Sequence, residues 1–154
     1  MGQQQLLLLV LGIVLVGLAV VVGIQAFEEN QRKTRQDQTM VLLSDIAAKA
    51  IAWKKTPVAM GGGDNGDSDD YRGITFADLG YEATEVQNGR DVALLTDYAC
   101  VKLYYNSNGT GLQVNALRAN CTGGSWWMQL YLCGPDLADA TFNIRSNQMQ
   151  NNGQ

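Results

Sequence analysis

The residue types that most often carry out catalysis are scarce in this chain. Its 154 residues include no histidine, so the usual general base and every Ser–His or Cys–His nucleophile pair are missing. Its three cysteines include no Cys-x-x-Cys pair, which argues against a structural zinc site. The net charge of −4 disfavours nucleic acid as the main partner. We therefore expect a protein that is not an enzyme and has no cofactor.

One group of residues has the right chemistry for a metal ion. The glycine-rich stretch 61–70 contains four clustered carboxylates, Asp64, Asp67, Asp69 and Asp70. Hard cations such as calcium bind clustered carboxylates, but this spacing is not that of an EF-hand loop and lacks its distal glutamate. We expect a solvated acidic loop without a metal, with calcium as the alternative.

Two further motifs concern covalent modification. Asn108-Gly-Thr and Asn120-Cys-Thr match the N-glycosylation sequon, a short motif that also arises by chance. Asn108 and Asn120 are therefore glycosylation candidates only.

The elements that would position these groups begin with an apolar segment. Residues 6–24 contain no charge, no polar amide and no proline. About 20 apolar helical residues cross the hydrocarbon core of a bilayer, so this segment is long enough to span a membrane. The preceding Met-Gly-Gln-Gln-Gln has no Lys or Arg, and a poor cleavage site follows, so we do not expect a cleaved signal peptide.

The helix is expected to continue beyond the apolar segment. Residues 27–39 are polar but contain no Pro or Gly, and residues 40–53 have apolar side chains at helical spacing. Pro57 disfavours helix at the preceding residue, so one helix of about 50 residues should end at Lys54–Thr56.

Strand patterns follow this helix and predict a small antiparallel sheet. Residues 106–111, 122–125 and 134–136 favour tight turns. The predicted strands are Val92–Thr96 continuing to Tyr98–Tyr105, Leu112–Ala119, Trp126–Cys133 and Thr141–Arg145. Alternation puts one set of side chains on the face that covers the helix, namely Val101, Leu103, Met128, Leu130 and Leu132. Of Trp126 and Trp127, one is expected in the core.

This layout resembles the type IV pilin superfamily, in which a hydrophobic half-helix continues into an amphipathic half that packs on a small antiparallel sheet. The expected fold is α+β, with the hydrophobic half of the helix protruding. The corresponding organisation is 1–27 hydrophobic half-helix, 28–56 amphipathic continuation, 57–90 variable glycine-rich and acidic loop, 91–145 antiparallel sheet head, and 146–154 polar tail.

The resemblance also implies which residues take part in assembly. In the family a glutamate near the mature N-terminus neutralises a neighbouring subunit's amine; Gln5 takes this place if Met1 is the first mature residue, and Leu7 if processing follows Gly2. Glycines in an apolar helix permit close helix approach, and opposite charges can pair between subunits. The candidate assembly residues are Met1, Gln5, Leu6, Leu9, Gly12, Ile13, Val16, Gly17, Val20, Gly23, Glu28, Arg32 and Arg35.

The implied function is that of a structural subunit of an extracellular, type IV pilus-like helical filament. The chain would reside in the cytoplasmic membrane before assembly, bind identical copies, and depend on an assembly ATPase and a membrane platform. The alternatives are a pseudopilin of a secretion system and a monomeric, membrane-anchored extracytoplasmic binding domain. The family commonly has a C-terminal disulfide, which implies Cys121–Cys133, but a tight hairpin would separate these two residues. The pairing among Cys100, Cys121 and Cys133 stays open.

Overall fold

A single long helix precedes all the strands of the protein. The structure, a computed structural model, describes residues 2–63, 71–87, 90–105, 111–117, 126–134 and 136–145. Helix α1 spans Gly2–Lys55 and has 54 residues. The chain divides into two compact units, residues 1–36 and residues 37–154, and the second, called the head below, contains the last part of α1 and the sheet.

The end of α1 is fixed by the segment that follows it. Pro57 lies just beyond Lys55 and leads into a short 3₁₀ helix, Val58–Met60. Pro57 has no N–H to donate to the Trp53 carbonyl oxygen, which instead accepts hydrogen bonds from the Thr56 N–H at 3.1 Å and the Gly63 N–H at 3.0 Å. Gly63 approaches the Trp53 ring so closely that a Cβ would overlap it. This contact requires glycine and turns the chain back over the helix end.

Within the described residues, six antiparallel strands form one sheet in sequential order, so neighbouring strands in the chain are neighbours in the sheet. The topology is a meander, and together with α1 it confirms the predicted α+β fold. The strands are β1 Glu85–Gln87, β2 Arg90–Leu95, β3 Cys100–Tyr105, β4 Leu112–Leu117, β5 Met128–Leu132 and β6 Ala140–Ile144.

The core of the head lies between one sheet face and the second half of α1. Four α1 residues are completely buried there, namely Leu43, Ile46, Ala47 and Ala50. The sheet residues that the alternation predicts for this face all belong to the same cluster, with Leu103 partly buried. The prediction that β3 and β5 cover the helix with these residues is confirmed.

The region predicted as a variable loop contributes to both the sheet and the core. Strand β1 lies inside residues 57–90, so the sheet begins earlier than the sequence predicts. Between Tyr71 and Gly80 the chain forms turns. Four side chains of this segment are nonetheless at least 96% buried, Tyr71, Ile74, Phe76 and Leu79. Their spacing has neither helical nor strand periodicity, so the sequence pattern did not reveal them.

A further correction concerns the first two predicted strands. The chain does not continue from Thr96 to Tyr98 as one extended run but reverses between β2 and β3, which pair antiparallel. The Thr96 N–H donates to the Ala99 carbonyl oxygen at 2.9 Å. The Thr96 hydroxyl also donates to the same oxygen at 2.7 Å. A threonine side chain that bonds the local backbone stabilises a turn.

The sheet face that points away from the helix is largely polar. Gln129 on β5 donates to Asn115 on β4 at 2.8 Å and to Gln113 at 3.3 Å. A small buried cluster of Ala93, Cys100 and Leu117 lies on the same face. The two faces therefore differ as expected for a sheet covered on one side.

Candidate functional site

The apolar segment 6–24 makes no tertiary contacts that bury it in the single chain. Every residue from Gly2 to Arg35 is exposed. The large apolar side chains of the segment have exposed fractions between 50% at Val10 and 69% at Leu7. Exposure on all sides of a helix means that its burial must come from outside the chain. The helix is long and apolar enough to cross a membrane. Its most apolar part is not buried at all, unlike the core helix of a soluble protein.

Nearly all the predicted assembly residues lie on this part of α1. Met1 lies outside the described residues. The others are exposed on the helix: Gln5, Leu6, Leu9, Gly12, Ile13, Val16, Gly17, Val20, Gly23, Glu28, Arg32 and Arg35. They do not form one face, because their spacing distributes them around the helix axis.

The three glycines of the segment have no packing role within the chain. A Cβ added at Gly12, Gly17 or Gly23 meets nothing within 4 Å. Each glycine nevertheless lowers helix stability by about 1 kcal/mol relative to alanine. In an apolar environment, small residues at such positions let another helix approach closely.

A stripe of small side chains was not identified from the sequence. On an α-helix, residues seven apart lie within about 20° of each other around the axis. The small residues Gly12, Ala19 and Ala26 follow this spacing, and Gly23 lies beside them. Gly17 is directed elsewhere, about 140° from Gly12. The seven-residue repeat is the signal that would have found this stripe.

The charged side chains of residues 28–37, called the charged band below, form only some of the ion pairs that their spacing allows within the helix. Lys33 Nζ and Glu29 Oε1 form an ion pair of 2.9 Å, as the i,i+4 spacing predicts. The hydrogen bond from Lys33, followed by its charge, lowers the pKa of Glu29. The corresponding pair, Glu28 with Arg32, is not formed in this fully described helix. Arg35 is engaged in an interaction within the chain.

The cysteines differ in chemical state. Cys100 is completely buried and disulfide-bonded. Cys133 is exposed and carries a free thiol. The pairing of Cys121 with Cys133 implied by the family resemblance is therefore wrong. Cys121 lies outside the described residues. The disulfide bond is therefore formed by Cys100, near the β2–β3 turn, and not by Cys133 after the end of β5.

The remaining candidate groups are not described by the structure. Asp64, Asp67, Asp69 and Asp70 lie outside the described residues, as do the sequon residues Asn108 and Asn120. Among the residues that are described, no group of three or more Cys, Asp or Glu side chains could hold a metal ion.

Two sets of contacts within the head, which join the last part of α1 to later segments, were also missed in the sequence. The Tyr81 hydroxyl donates a hydrogen bond to Asp45 Oδ2, which also pairs with Lys49 Nζ at 3.1 Å. The Lys49 ammonium lies 4.0 Å from the centre of the Tyr81 ring. Lys54 is 4% exposed, and its Nζ donates to the Gly63 carbonyl oxygen at 2.8 Å. The contact of Tyr81 joins segments far apart in the chain, and that of Lys54 crosses the irregular segment after α1, so no helical or strand spacing indicates them.

Comparison with known proteins finds no relative of this chain. No protein-family model, curated protein or solved structure matches the chain.

Proposed function

We propose that this chain is a pilin, the repeating structural subunit of an extracellular, type IV pilus-like filament. The observation that carries the proposal is the contrast between the two units of the chain. The head has a closed core, whereas residues 2–35 are exposed throughout. A chain of this construction needs an apolar environment for one segment only.

The proposed mechanism is assembly through residues 6–24. Before assembly the segment lies in the cytoplasmic membrane, which its length matches. In the filament, identical helices replace the lipid around it, so the apolar side chains are never transferred into water. As in the family that the layout resembles, an assembly ATPase and a membrane platform would carry out this transfer. The proposal includes no catalytic step and no cofactor.

The glycines support close packing between copies rather than simple anchoring. A membrane anchor needs hydrophobicity, which leucine would supply better than glycine. Gly12, Gly17 and Gly23 have open space around them in the single chain, so their small size serves no contact there. Small residues let helix backbones approach each other in an apolar environment.

The charged band supports a defined register between copies. Glu28 and Arg32 are exposed and do not pair with each other in the described helix. Each can pair with the opposite charge on a neighbouring subunit. Exposed pairs contribute about 0–1 kcal/mol each, so they select the register more than they strengthen the filament.

The decisive experiment compares Gly12→Leu with Val14→Leu in the full chain, because Val14 is exposed in the same segment and is not one of the candidate assembly residues. Both changes keep the segment apolar, so both variants should still insert in the membrane. Gly12→Leu should abolish filaments in negatively stained, sheared surface material, whereas Val14→Leu should leave them. Mass spectrometry of the sheared material identifies the subunit, and its intact mass shows whether Met1 is retained, methylated or removed with Gly2.

The rival functions predict different results. A monomeric anchored binding domain gives no filaments for the unchanged chain and keeps its activity in a soluble fragment without residues 6–24. A pseudopilin gives only short filaments that remain in the cell envelope. Recovery of the unchanged chain only from detergent-extracted membranes would contradict the pilin proposal.

A further inference from the structure

Strand β6 is patterned for burial on a face that the single chain leaves open. Its side chains alternate between the apolar Ala140, Phe142 and Ile144 and the polar Thr141 and Asn143. The apolar set lies on the core face, because Phe142 is in register with Leu130 and Ile144 with Met128. Leu130 and Met128 are completely buried, whereas Phe142 is 38% and Ile144 41% exposed. Helix α1 therefore covers the core face of the sheet as far as β5 but not over β6.

The geometry of the sheet explains why one helix does not cover this strand. Neighbouring strands lie about 4.8 Å apart, so six strands span about 24 Å. A helix with its side chains is about 10–12 Å wide and covers two or three strands. Among the described residues the head has one helix on this face, so a strand at the edge of the sheet, such as β6, lies beyond the width that it covers.

One ion pair identifies the flank of α1 that borders the open space. Lys55 Nζ lies 2.9 Å from Asp136 Oδ1, in the segment that leads into β6. Residues 7, 11 and 14 positions before Lys55 lie on the same flank of the helix. These are Ala48, Ser44 and Val41. The opposite flank, which includes Lys49, contacts Tyr81.

We call the space between this flank and the strand the β6 groove. Helix position and strand register place Val41, Ser44 and Ala48 on one side of it and Phe142 and Ile144 on the other. None of these side chains is charged. The Ser44 hydroxyl donates to the Met40 carbonyl oxygen at 2.9 Å, so it needs no water or outside partner. Small side chains at positions 44 and 48 permit another helix to approach α1 closely. The groove thus suits an apolar helix.

We propose that the β6 groove binds the apolar segment 6–24 of a second copy of this chain. The occupant is argued from the chain itself, which carries an apolar helix exposed on all sides and no charge within that segment. This contact joins two different surfaces, the segment of one copy and the groove of another. Every bound pair therefore still has one free segment and one free groove, so further copies can add and the contact propagates into a polymer. The inference rests on the proposed function and names the surface through which copies bind.

Photo-crosslinking in the full chain tests this contact. Phe142→p-benzoylphenylalanine places the reactive ring in the groove, and Asn143→p-benzoylphenylalanine places it on the opposite face of the same strand. We expect light-induced dimers from the first variant, with the adduct on the peptide that contains residues 6–24, at least tenfold above those from the second. Equal yields, or adducts on a strand or elsewhere in the head, would overturn the inference.

A second pair of variants tests the consequence for assembly. Ile144→Lys puts a charge into the groove, while Asn143→Lys puts the same charge on the polar face. We expect Ile144→Lys to reduce filament mass at least tenfold, with a thermal unfolding transition close to that of Asn143→Lys. Normal filaments from Ile144→Lys would overturn the inference.

The two proposals fail in distinguishable ways. Filaments of the unchanged chain without the Phe142 adduct contradict the groove but not the pilin function. The Phe142 adduct on residues 6–24 in membranes that never produce filaments supports the groove and contradicts the filament. Absence of both contradicts both.

Discussion

Leu130 on β5 and Phe142 on β6 are directly opposite each other in the sheet, yet Leu130 is completely buried and Phe142 is 38% exposed. Two side chains of similar character, one strand apart on the same face, therefore have different surroundings. The difference marks the limit of the cover that α1 provides, and it can be measured.

Alanine substitutions at these two positions should separate their roles. Leu130→Ala leaves a cavity in the core and should lower the free energy of unfolding by about 2–5 kcal/mol. Phe142→Ala removes a side chain that is only partly buried and should cost about 1–2 kcal/mol. Urea unfolding of the full chain in detergent measures both. Similar losses from the two variants would mean that β6 is covered as fully as β5.

The contact between Tyr81 and Asp45 should stabilise the head in a pH-dependent way. Tyr81→Phe removes the hydroxyl and should cost about 0.5–1 kcal/mol, because a partly exposed hydrogen bond contributes modestly. Tyr98→Phe is the matched control, since no hydrogen bond is present for that hydroxyl among the described residues. Thermal unfolding near neutral pH compares the two. An equal loss from both would contradict the assignment.

The pH dependence of this contact follows from the two pKa shifts. The hydrogen bond from Tyr81, and then that from Lys49, lowers the pKa of Asp45 below 3.8, so its contribution to stability is lost as the pH falls through that lowered value. Burial, followed by the hydrogen bond to Asp45, raises the pKa of Tyr81 above 10.0, so stability is also lost as the pH rises through the raised value. The difference between the wild type and Asp45→Asn should therefore shrink in acid below pH 3.8.

The adjacent tryptophans should differ in their effect on stability. Trp127 is 3% exposed, and its Nε1 donates to the Leu117 carbonyl oxygen at 3.1 Å. Trp127→Phe leaves that buried acceptor unpaired and should cost about 1–3 kcal/mol. Trp126 is half-buried beside Arg145, whose guanidinium lies 4.1 Å from the ring centre. Trp126→Phe retains this stacking and should change the free energy of unfolding by less than about 0.5 kcal/mol.

The two described cysteines should differ in their reaction with alkylating agents. Alkylation of the folded, unreduced protein should label Cys133 and not Cys100, because Cys133 is exposed and Cys100 is disulfide-bonded. Cys133→Ser should abolish the labelling of that peptide. The Cys100 peptide should become labelled only after reduction. A label on Cys100 would contradict this assignment.

The sequence predicts the parts of the fold that depend on regular spacing. The helix end near Pro57 and the inward face of β5 both follow from local rules, namely the restriction before proline and the alternation of a strand. The reversal at Thr96 was missed, because a turn stabilised by a threonine side chain needs no glycine or proline. Strand β1 was missed because its three residues are too few to show alternation.

The contacts that fix the site are less accessible from sequence. The burial of Phe76 in an irregular segment and the bond from Tyr81 to Asp45 depend on residues that the fold alone brings together. The β6 groove shows the same limit. The alternation of β6 indicates that one face should be buried, but only the structure shows that α1 does not reach it.

The separation of the chain into two units also has a genetic consequence. A subunit altered at Gly12 keeps the core of its head intact, so it would be made, survive proteolysis and join filaments beside normal copies. A subunit destabilised at Leu130 would unfold more often, and a larger share of it would be degraded before it met them. In cells that express both alleles, we expect the first kind of mutation to be dominant and the second to be recessive.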